Sequence, residues 1–377
     1  MKKKRDKYTL HDIQNEIVRI MATDILCDIA DSVSDAKFFS ILADECTDAS
    51  NEEQLLICLR WIDQALEPNE DFVGFYEIPN IAANTIVGAI KDVLMRLNLS
   101  LYNCWGQCFD AGGLMAGSRN GVAAQILSEV KKAHLTHCHG HALSLAVKDT
   151  TEGSKLPHDC MDTTMEICKL IKFSPKRQGI LEELKNQIQL ETPGLKVLCP
   201  ARWMIRAESL TPTTEQDVNE PSLRRNRRAP RRLEIGTANP EFATSVEDKY
   251  RQIYFEAIDL CVATIKNRFD QPGFKAYMQM ESLLIKCLGN EEYSEELSFL
   301  KDNYTEDINM PNFEAQLLLF KEMMPREEYT CFEDVYRAYR KVDSANKLLV
   351  SEAEILLKLI LVCPATNAVG ERSFSTA

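Results

Sequence analysis

Two aspartates, 66 positions apart (110 minus 44), each follow an apolar stretch of the chain. Asp44 follows residues 38–43, and Asp110 follows residues 100–109. Carboxylates that a fold brings together can bind two Mg²⁺ or Mn²⁺ ions about 3.5–4 Å apart. One ion then activates the attacking oxygen in phosphodiester cleavage, and the other stabilises the leaving oxygen. The pair therefore predicts a metal site suited to phosphodiester chemistry.

Such a site usually needs three or more acids. Glu45 and Asp48 lie close enough to Asp44 in the chain to be rival ligands. The alternative is that Asp44 only ends a strand and caps the turn before Asn51. Spacing alone does not decide between a metal site and a turn.

Hydrophobic periodicity predicts the elements that position the two aspartates. Their order is strand, strand, strand, helix, strand, helix, strand, helix, which is the ribonuclease-H-like order of a mixed sheet with helices on both faces. In this α/β topology the first and fourth strands are neighbours, so Asp44 and Asp110 should meet at one edge of the sheet. The predicted strands are 38–44, 54–62, 72–78, 100–110 and 133–138. The predicted helices are 84–98, 120–130 and 139–149, with Asn84 and Asn120 as the candidate N-caps of the first two.

Composition limits the class of protein. The 377 residues are 45% hydrophobic and 27% charged, which fits one large or two modest globular domains. No stretch approaches the roughly 20 apolar residues of a membrane helix, so we expect no membrane partner. The thirteen cysteines lack the tight spacing of a secreted scaffold and are predicted to be reduced thiols in the cytosol or nucleus.

Charge limits how the chain could bind nucleic acid. A net charge of -13 argues against coating DNA through bulk charge, so any DNA contact must be local. One run between 224 and 232 holds six arginines, and it could be a nuclear-localisation signal, a phosphate-contacting loop or a solvated surface loop. The candidate DNA contacts in this run are Arg224, Arg225, Arg227 and Arg228.

Five segments, taken in order, resemble the hAT superfamily of DNA transposases. More narrowly, they are similar to vertebrate-type proteins with a DUF4371 region and a C-terminal hAT dimerisation region. The resemblance covers most of residues 36–210 and about the last hundred. The segments are 39–48 (FSILADECTD), 106–110 (GQCFD), the stretch around Cys138 and His141, 198–203 (LCPARW) and 364–375 (PATNAVGERSFS).

The resemblance implies roles for named residues. The family's catalytic acids fall on Asp44, Asp110 and Glu371, which would bind Mg²⁺ or Mn²⁺ for cut-and-paste cleavage and joining of DNA. It also implies a nuclear protein that binds DNA and dimerises with itself or a related hAT-type protein. An active form would be a metal-dependent transposase.

Three departures from the family pattern lead us to expect a truncated and catalytically impaired relative. The loop after Asp110 differs from the family's Gly-Ala-Ser-Asn-Met-like run, and much of the helical insertion after Trp203 is missing. The chain ends six residues past Glu371, and Gly370 would cost about 1 kcal/mol inside a helix. The main alternative is a non-enzymatic interaction and dimerisation protein of the nucleus. A nuclease of the same fold would leave the last two motifs as coincidences.

The Cys-His segment and the Arg-Trp motif leave further alternatives. Cys138 and His141 could join Cys104 and Cys108 in a zinc site, but a strand would separate Cys104 from Cys108 by about 13 Å. Bonds of about 2.3 Å to one Zn²⁺ cannot span that distance without a break in the strand at Gly106. We therefore predict that zinc is absent and that Cys138 and His141 are a packed pair supporting the acidic edge. Either Arg202 and Trp203 contact DNA, with Trp203 stacked on a base, or Trp203 is a core residue at a helix start.

The predicted domain organisation follows from these patterns and the resemblance. An amphipathic lead-in helix precedes the core, and the second half is mainly helical. The segments are 1–35 (lead-in helix), 36–150 (ribonuclease-H-like core), 151–210 (helical continuation), 211–245 (Pro- and Arg-rich linker, a remnant of the insertion) and 246–377 (helical region ending in the dimerisation-type motif).

Overall fold

The computed structural model describes residues 10–47, 50, 52–110, 112–188 and 245–366. The chain divides into two compact units, Met1–Gly140 with Asp270–Ala377, and His141–Phe269. These bounds differ from the divisions predicted at 150 and 245. The reason is that the helices after 270 pack against the sheet and share its core.

A mixed five-stranded sheet forms the centre of the first unit. Its strands are β1 (Phe39–Thr47), β2 (Glu53–Ile62), β3 (Pro68–Glu77), β4 (Cys104–Phe109) and β5 (His134–His137). The spatial order is β3-β2-β1-β4-β5. β1, β2 and β3 form an antiparallel meander, whereas β4 runs parallel to β1 and β5 parallel to β4. The predicted mixed sheet, with its first and fourth strands adjacent, is confirmed.

Helices α1 (His11–Ala36), α2 (Ala83–Arg96), α3 (Gly113–Ala116) and α4 (Val122–Glu129) complete the N-terminal part of this unit. One face of the sheet packs against α2 and α4, where Ile90 and Ile126 share a buried cluster with Ile41 and Phe109. Burying each such side chain contributes about 1.5–3 kcal/mol. Only the last turns of α1 join this cluster, through Leu26, Ile29 and Val33.

Helix starts differ from the predicted caps. Asn84 was predicted to cap α2, but the helix begins at Ala83 with Ala82 at the N-cap. The side chain of Asn80 organises this start, because its Oδ1 accepts hydrogen bonds from Thr85 Oγ1 (2.7 Å) and Ala82 N (3.0 Å). The cap of α4 is Gly121 and not Asn120.

The fourth strand is also shorter than predicted. Residues Leu101–Asn103 form a 3₁₀ turn, and the strand begins only at Cys104. Ser100 stabilises the turn, since its side chain accepts a hydrogen bond from the Tyr102 N–H.

The opposite face of the sheet is covered by the C-terminal helices. These are α9 (Pro272–Gly289), α10 (Ser294–Asn303), α11 (Met310–Met323), α12 (Phe332–Arg340), α13 (Ser344–Lys347) and α14 (Ser351–Val362). Ser40 in β1 donates a hydrogen bond to the carbonyl oxygen of Val362 (2.8 Å), and Arg60 in β2 donates to that of Leu361 (2.9 and 3.1 Å). The last helix is thereby fixed across β1 and β2.

The second unit contains α5 (His139–Gly153), which begins at the boundary, with α6 (Lys155–Lys172), α7 (Pro175–Ile188) and α8 (Val246–Phe269). Arg268 near the end of α8 pairs with Asp149 in α5, with Nε 3.0 Å from Oδ2. The mainly helical second half predicted from the sequence is found. None of the helices in the described part of the chain is long and apolar enough to cross a membrane.

Candidate metal site at the sheet edge

Asp44 lies in β1, and Asp110 directly follows β4, the adjacent parallel strand. In the parallel pairing of β1 with β4, Ile41 lies opposite Gln107 and Leu42 lies opposite Cys108. Continuing this register by two residues would place Asp44 opposite Asp110. Side chains two residues apart on a strand share a face, so Asp44 shares the face of Leu42, and Asp110 would share the face of Cys108 if β4 continued by one residue. The β1–β4 pairing is consistent with the predicted meeting of the two acids, which stays a prediction.

An apolar layer lies beneath the two acids. Leu42, Leu56, Cys58, Cys108 and Cys138 form a separate buried cluster on this face. Leu56 is the β2 partner of Asp44. Both aspartates are half-buried at the margin of this cluster. Low-dielectric surroundings strengthen the attraction between carboxylates and a cation.

Backbone N–H groups hold both carboxylates in place. Glu45 N donates to Asp44 Oδ1 (3.0 Å), and Gly112 N donates to Asp110 Oδ1 (3.1 Å). A Cβ at position 112 would lie 3.0 Å from Asp110 Oδ1, so glycine permits this close approach. Asp44 does not end β1 as predicted, because the strand continues to Thr47, which pairs with Glu53.

Glu45 is a third carboxylate at this edge. Its burial, with the negative charges of Asp110 and Glu53, raises the pKa of Glu45 above its ordinary value. The contribution of Asp110 to this rise in the pKa of Glu45 is the repulsion expected between two nearby carboxylates. Glu45 therefore remains a rival ligand, while Asp48 lies outside the described residues.

The third acid implied by the family resemblance, Glu371, also lies outside the described residues. The chain before it is anchored near the acidic edge, because the carbonyl oxygen of Ala365 accepts a hydrogen bond from His139 N (2.9 Å). In turn, Cys138 N donates to Phe109 O (3.0 Å), directly before Asp110. Within the described ranges, no group of three Asp, Glu, His or Cys residues is placed to hold a metal ion.

Cys138 is buried beside Cys108. Its thiol, together with burial, raises the pKa of Cys108 well above the ordinary value. Cys104 belongs to the cluster on the opposite face of the sheet, because a register shift between Phe39 and Ser40 changes the alternation along β4. Cys104 and Cys108 therefore cannot bind one ion. His141 belongs to the second unit, so a packed pair of Cys138 and His141 stays a prediction.

The predicted DNA contacts cannot be placed. Arg202, Trp203, Arg224, Arg225, Arg227 and Arg228 all lie outside the described residues.

Sequence reasoning missed a cluster that attaches the C-terminal helices to β4. Trp105 stacks on Tyr304 with ring centroids 5.0 Å apart and planes inclined by 12°. Lys132 Nζ lies 5.1 Å from the Trp105 ring and 2.7 Å from Asp307 Oδ1. These partners are far apart in the chain, so no local pattern predicts the contact. The only signal in the sequence is that a large aromatic residue such as Trp105 is usually buried.

Residues 1–121 match the family described as DUF4371, the RNase-like domain of ZMYM1/FAM200. This match includes Asp44 and Asp110. The chain is also similar to the "52 kDa repressor of the inhibitor of the protein kinase" of Mus musculus, with 26% identity over 183 residues, or 47% of this chain and 24% of the relative. The Homo sapiens protein of the same name is 25% identical over 205 residues, covering 52% of this chain and 26% of the relative. The chain spans about a quarter of the length of these curated relatives.

Proposed function

We propose that this chain is derived from an hAT-type transposase, has a ribonuclease-H-like core, and binds a divalent metal ion between Asp44 and Asp110. The observation that supports the proposal is the parallel pairing of β1 with β4, whose register, continued by two residues beyond Leu42 and Cys108, would set Asp44 opposite Asp110. The match of residues 1–121 to an RNase-like domain supports the fold assignment.

The donor set suits Mg²⁺ or Mn²⁺, because both ions prefer carboxylate oxygens. Asp44 and Asp110 would each supply an oxygen, and the apolar layer of Leu42 and Leu56 would limit water on one side. A bound ion would polarise a phosphodiester and stabilise the charge that develops on its oxygens. The nearby charge of Glu45 adds attraction for a cation.

We further propose that the chain cleaves and joins DNA poorly or not at all. A competent two-metal centre usually needs a third acid, and Glu371 follows a glycine that disfavours a helix. Glu371 lies six positions after Ala365, whose carbonyl oxygen accepts a hydrogen bond from His139 N.

Titration of the full chain with Mn²⁺, followed by calorimetry, tests the metal site. The test variant is D44N/D110N, and the matched control is D302N/E306Q, which removes two acids at exposed positions. We expect the test variant alone to lose binding. Equal binding by all three proteins would refute the metal site. Strand cleavage of a terminal-inverted-repeat DNA that D44N/D110N abolishes would refute the impaired activity.

A second candidate function is a non-enzymatic nuclear regulator that dimerises. The two curated relatives are named as repressors, which favours this function. The apolar run 348–363 has the composition of a helix that packs on a partner, but six α14 residues, including Leu356, Leu357 and Leu359, are buried within their own unit. Leu348 and Leu349 stay exposed. Sedimentation equilibrium of the full chain tests dimerisation, and a monomer across the micromolar range would refute it.

A further inference from the structure

The corner between α6 and α7 carries four cations and an exposed aromatic ring. Between Cys168 and Leu181 the chain has no acidic residue. The cations are all exposed, and none of them pairs with a carboxylate within the described part of the chain. They are Lys169, Lys172, Lys176 and Arg177. In a chain of net charge -13, this is a local concentration of positive charge.

Hydrogen bonds fix the geometry of this corner. Arg177 Nη1 donates to the carbonyl oxygen of Leu170 (2.8 Å), which ties the start of α7 to the end of α6. Phe173 occupies the C-cap of α6, and its N–H donates to Lys169 O (3.1 Å). The corner is therefore a defined surface on which the cations and Phe173 are neighbours.

Helix stability explains only part of this arrangement. Lys169 and Lys172 are in the last turn of α6, where cations compensate the helix dipole. Lys176 and Arg177 are in the first turn of α7, where the dipole disfavours cations. The hydrogen bond from Arg177 to Leu170 O explains why a cation stands at position 177. Among the described residues, no hydrogen bond or ion pair explains why a cation stands at position 176.

Phe173 likewise contributes little to the fold. Its side chain is 74% exposed, the highest value for an aromatic residue among those that the structure describes. An aromatic ring beside several cations is the arrangement that binds single-stranded nucleic acid, because the cations contact phosphates and the ring stacks on an unpaired base.

We propose that the α6–α7 corner binds single-stranded DNA, with Lys169, Lys172 and Lys176 at its phosphates and Phe173 stacked on an unpaired base. An anionic membrane could also attract these cations. We choose DNA as the partner because the inference rests on the proposed function, which is directed at DNA. The corner lies in the second unit, so its binding does not depend on a metal ion at Asp44 and Asp110.

Fluorescence anisotropy with a labelled 20-nucleotide strand, and with the duplex of the same sequence, tests this site in buffer containing EDTA. The full chain is compared with K169Q/K172Q/K176Q, which keeps the structural Arg177, and with F173L, which keeps an apolar side chain. The control K131Q/K266Q/K341Q removes three exposed lysines at other positions.

We expect the test triple variant to weaken binding at least about tenfold and to lower the salt-dependence slope by about 2, while the control changes neither. F173L should weaken single-strand binding about tenfold and leave duplex binding unchanged. Equal binding by the two triple variants would overturn the proposal. The proposal would also be overturned if the full chain bound vesicles of phosphatidylcholine and phosphatidylserine through these lysines but did not bind DNA. Because the buffer contains EDTA, metal binding at Asp44 and Asp110 does not enter this measurement, so failure of the metal site and failure of this corner are separate results.

Discussion

The hydroxyl group of Ser40 in β1 donates a hydrogen bond to the carbonyl oxygen of Val362, the last residue of α14, 2.8 Å away and 322 positions later in the chain. Ser40 is fully buried, so the bond has no competition from water. It joins the first strand of the sheet to the final helix. We predict that Ser40→Ala destabilises the chain by about 1–2 kcal/mol, because the Val362 carbonyl loses its donor.

Urea unfolding followed by circular dichroism measures this cost. The control is Ser128→Ala, which removes an exposed hydroxyl that bonds only within its own helical turn, to Gln125 O. Equal unfolding midpoints for the two variants would contradict the assignment of α14 to the core of the sheet.

Gly106 in β4 allows three elements to meet. A Cβ at this position would lie 2.6 Å from Ser40 Oγ, 2.9 Å from Pro364 Cδ and 3.0 Å from Tyr277 Oη. We predict that Gly106→Ala lowers the free energy of unfolding by about 1–3 kcal/mol through overpacking. Gly88, in the interior of α2, has no atom within 4 Å of its added Cβ. Gly88→Ala should therefore raise the free energy of unfolding by about 0.5–1 kcal/mol. A loss of stability in both variants would show that the close approach at Gly106 is not the cause.

Tyr304 links three rings, stacking on Trp105 and meeting the edges of His134 and Phe299. Tyr304→Ala should cost roughly 3–5 kcal/mol, because it leaves a cavity against Trp105. Tyr304→Phe keeps the ring and should cost less than about 1.5 kcal/mol. Thermal unfolding gives the size of the effect, and the near-ultraviolet circular dichroism of Trp105 reports whether the stack is lost. If Tyr304→Ala and Tyr304→Phe lowered the stability equally, stacking of the Tyr304 ring on Trp105 would not contribute to the fold.

Two half-buried histidines, His134 and His139, predict a loss of stability in acid. Burial lowers the pKa of His134 and of His139 below the ordinary value of 6.5. The unfolded chain then binds more protons than the folded chain once the pH falls below about 6.5, so stability is lost as the pH falls towards the folded pKa values. We expect a lower thermal midpoint at about pH 5.5 than at about pH 7.5.

The variant His134→Gln isolates one of these groups, and it should show a smaller loss between the two pH values than the wild type. His11→Gln, at an exposed position of α1, serves as the control and should leave the loss unchanged. If His134→Gln lost as much stability as the wild type, protonation of His134 would not be a cause.

Local sequence patterns predicted the strand order, because apolar stretches of strand length follow one another with clear turns between them. The same patterns placed helix starts wrongly at Asn84 and Asn120. A capping preference depends on which side chain reaches the first N–H groups, and at α2 the start is held by Asn80. Which residue caps a helix therefore depends on local differences in backbone position, which residue type alone does not specify.

Long-range packing was beyond sequence patterns altogether. The register shift between Phe39 and Ser40 moves Cys104 and Cys108 to opposite faces, although their spacing of four suggests a common face. The contact of Trp105 with Tyr304 joins residues about 200 positions apart, and no periodicity within either segment encodes it. The role of Glu371 still rests on resemblance to the hAT family.

The most direct test of the metal site is an anomalous difference map from crystals of the full chain soaked in Mn²⁺. We predict a peak within about 2–2.5 Å of a carboxylate oxygen of Asp44 and of Asp110, with their carboxyl groups about 4–7 Å apart. Manganese bound elsewhere while this edge stays free of it, or carboxyl groups that diverge beyond that range, would contradict a metal site at Asp44 and Asp110.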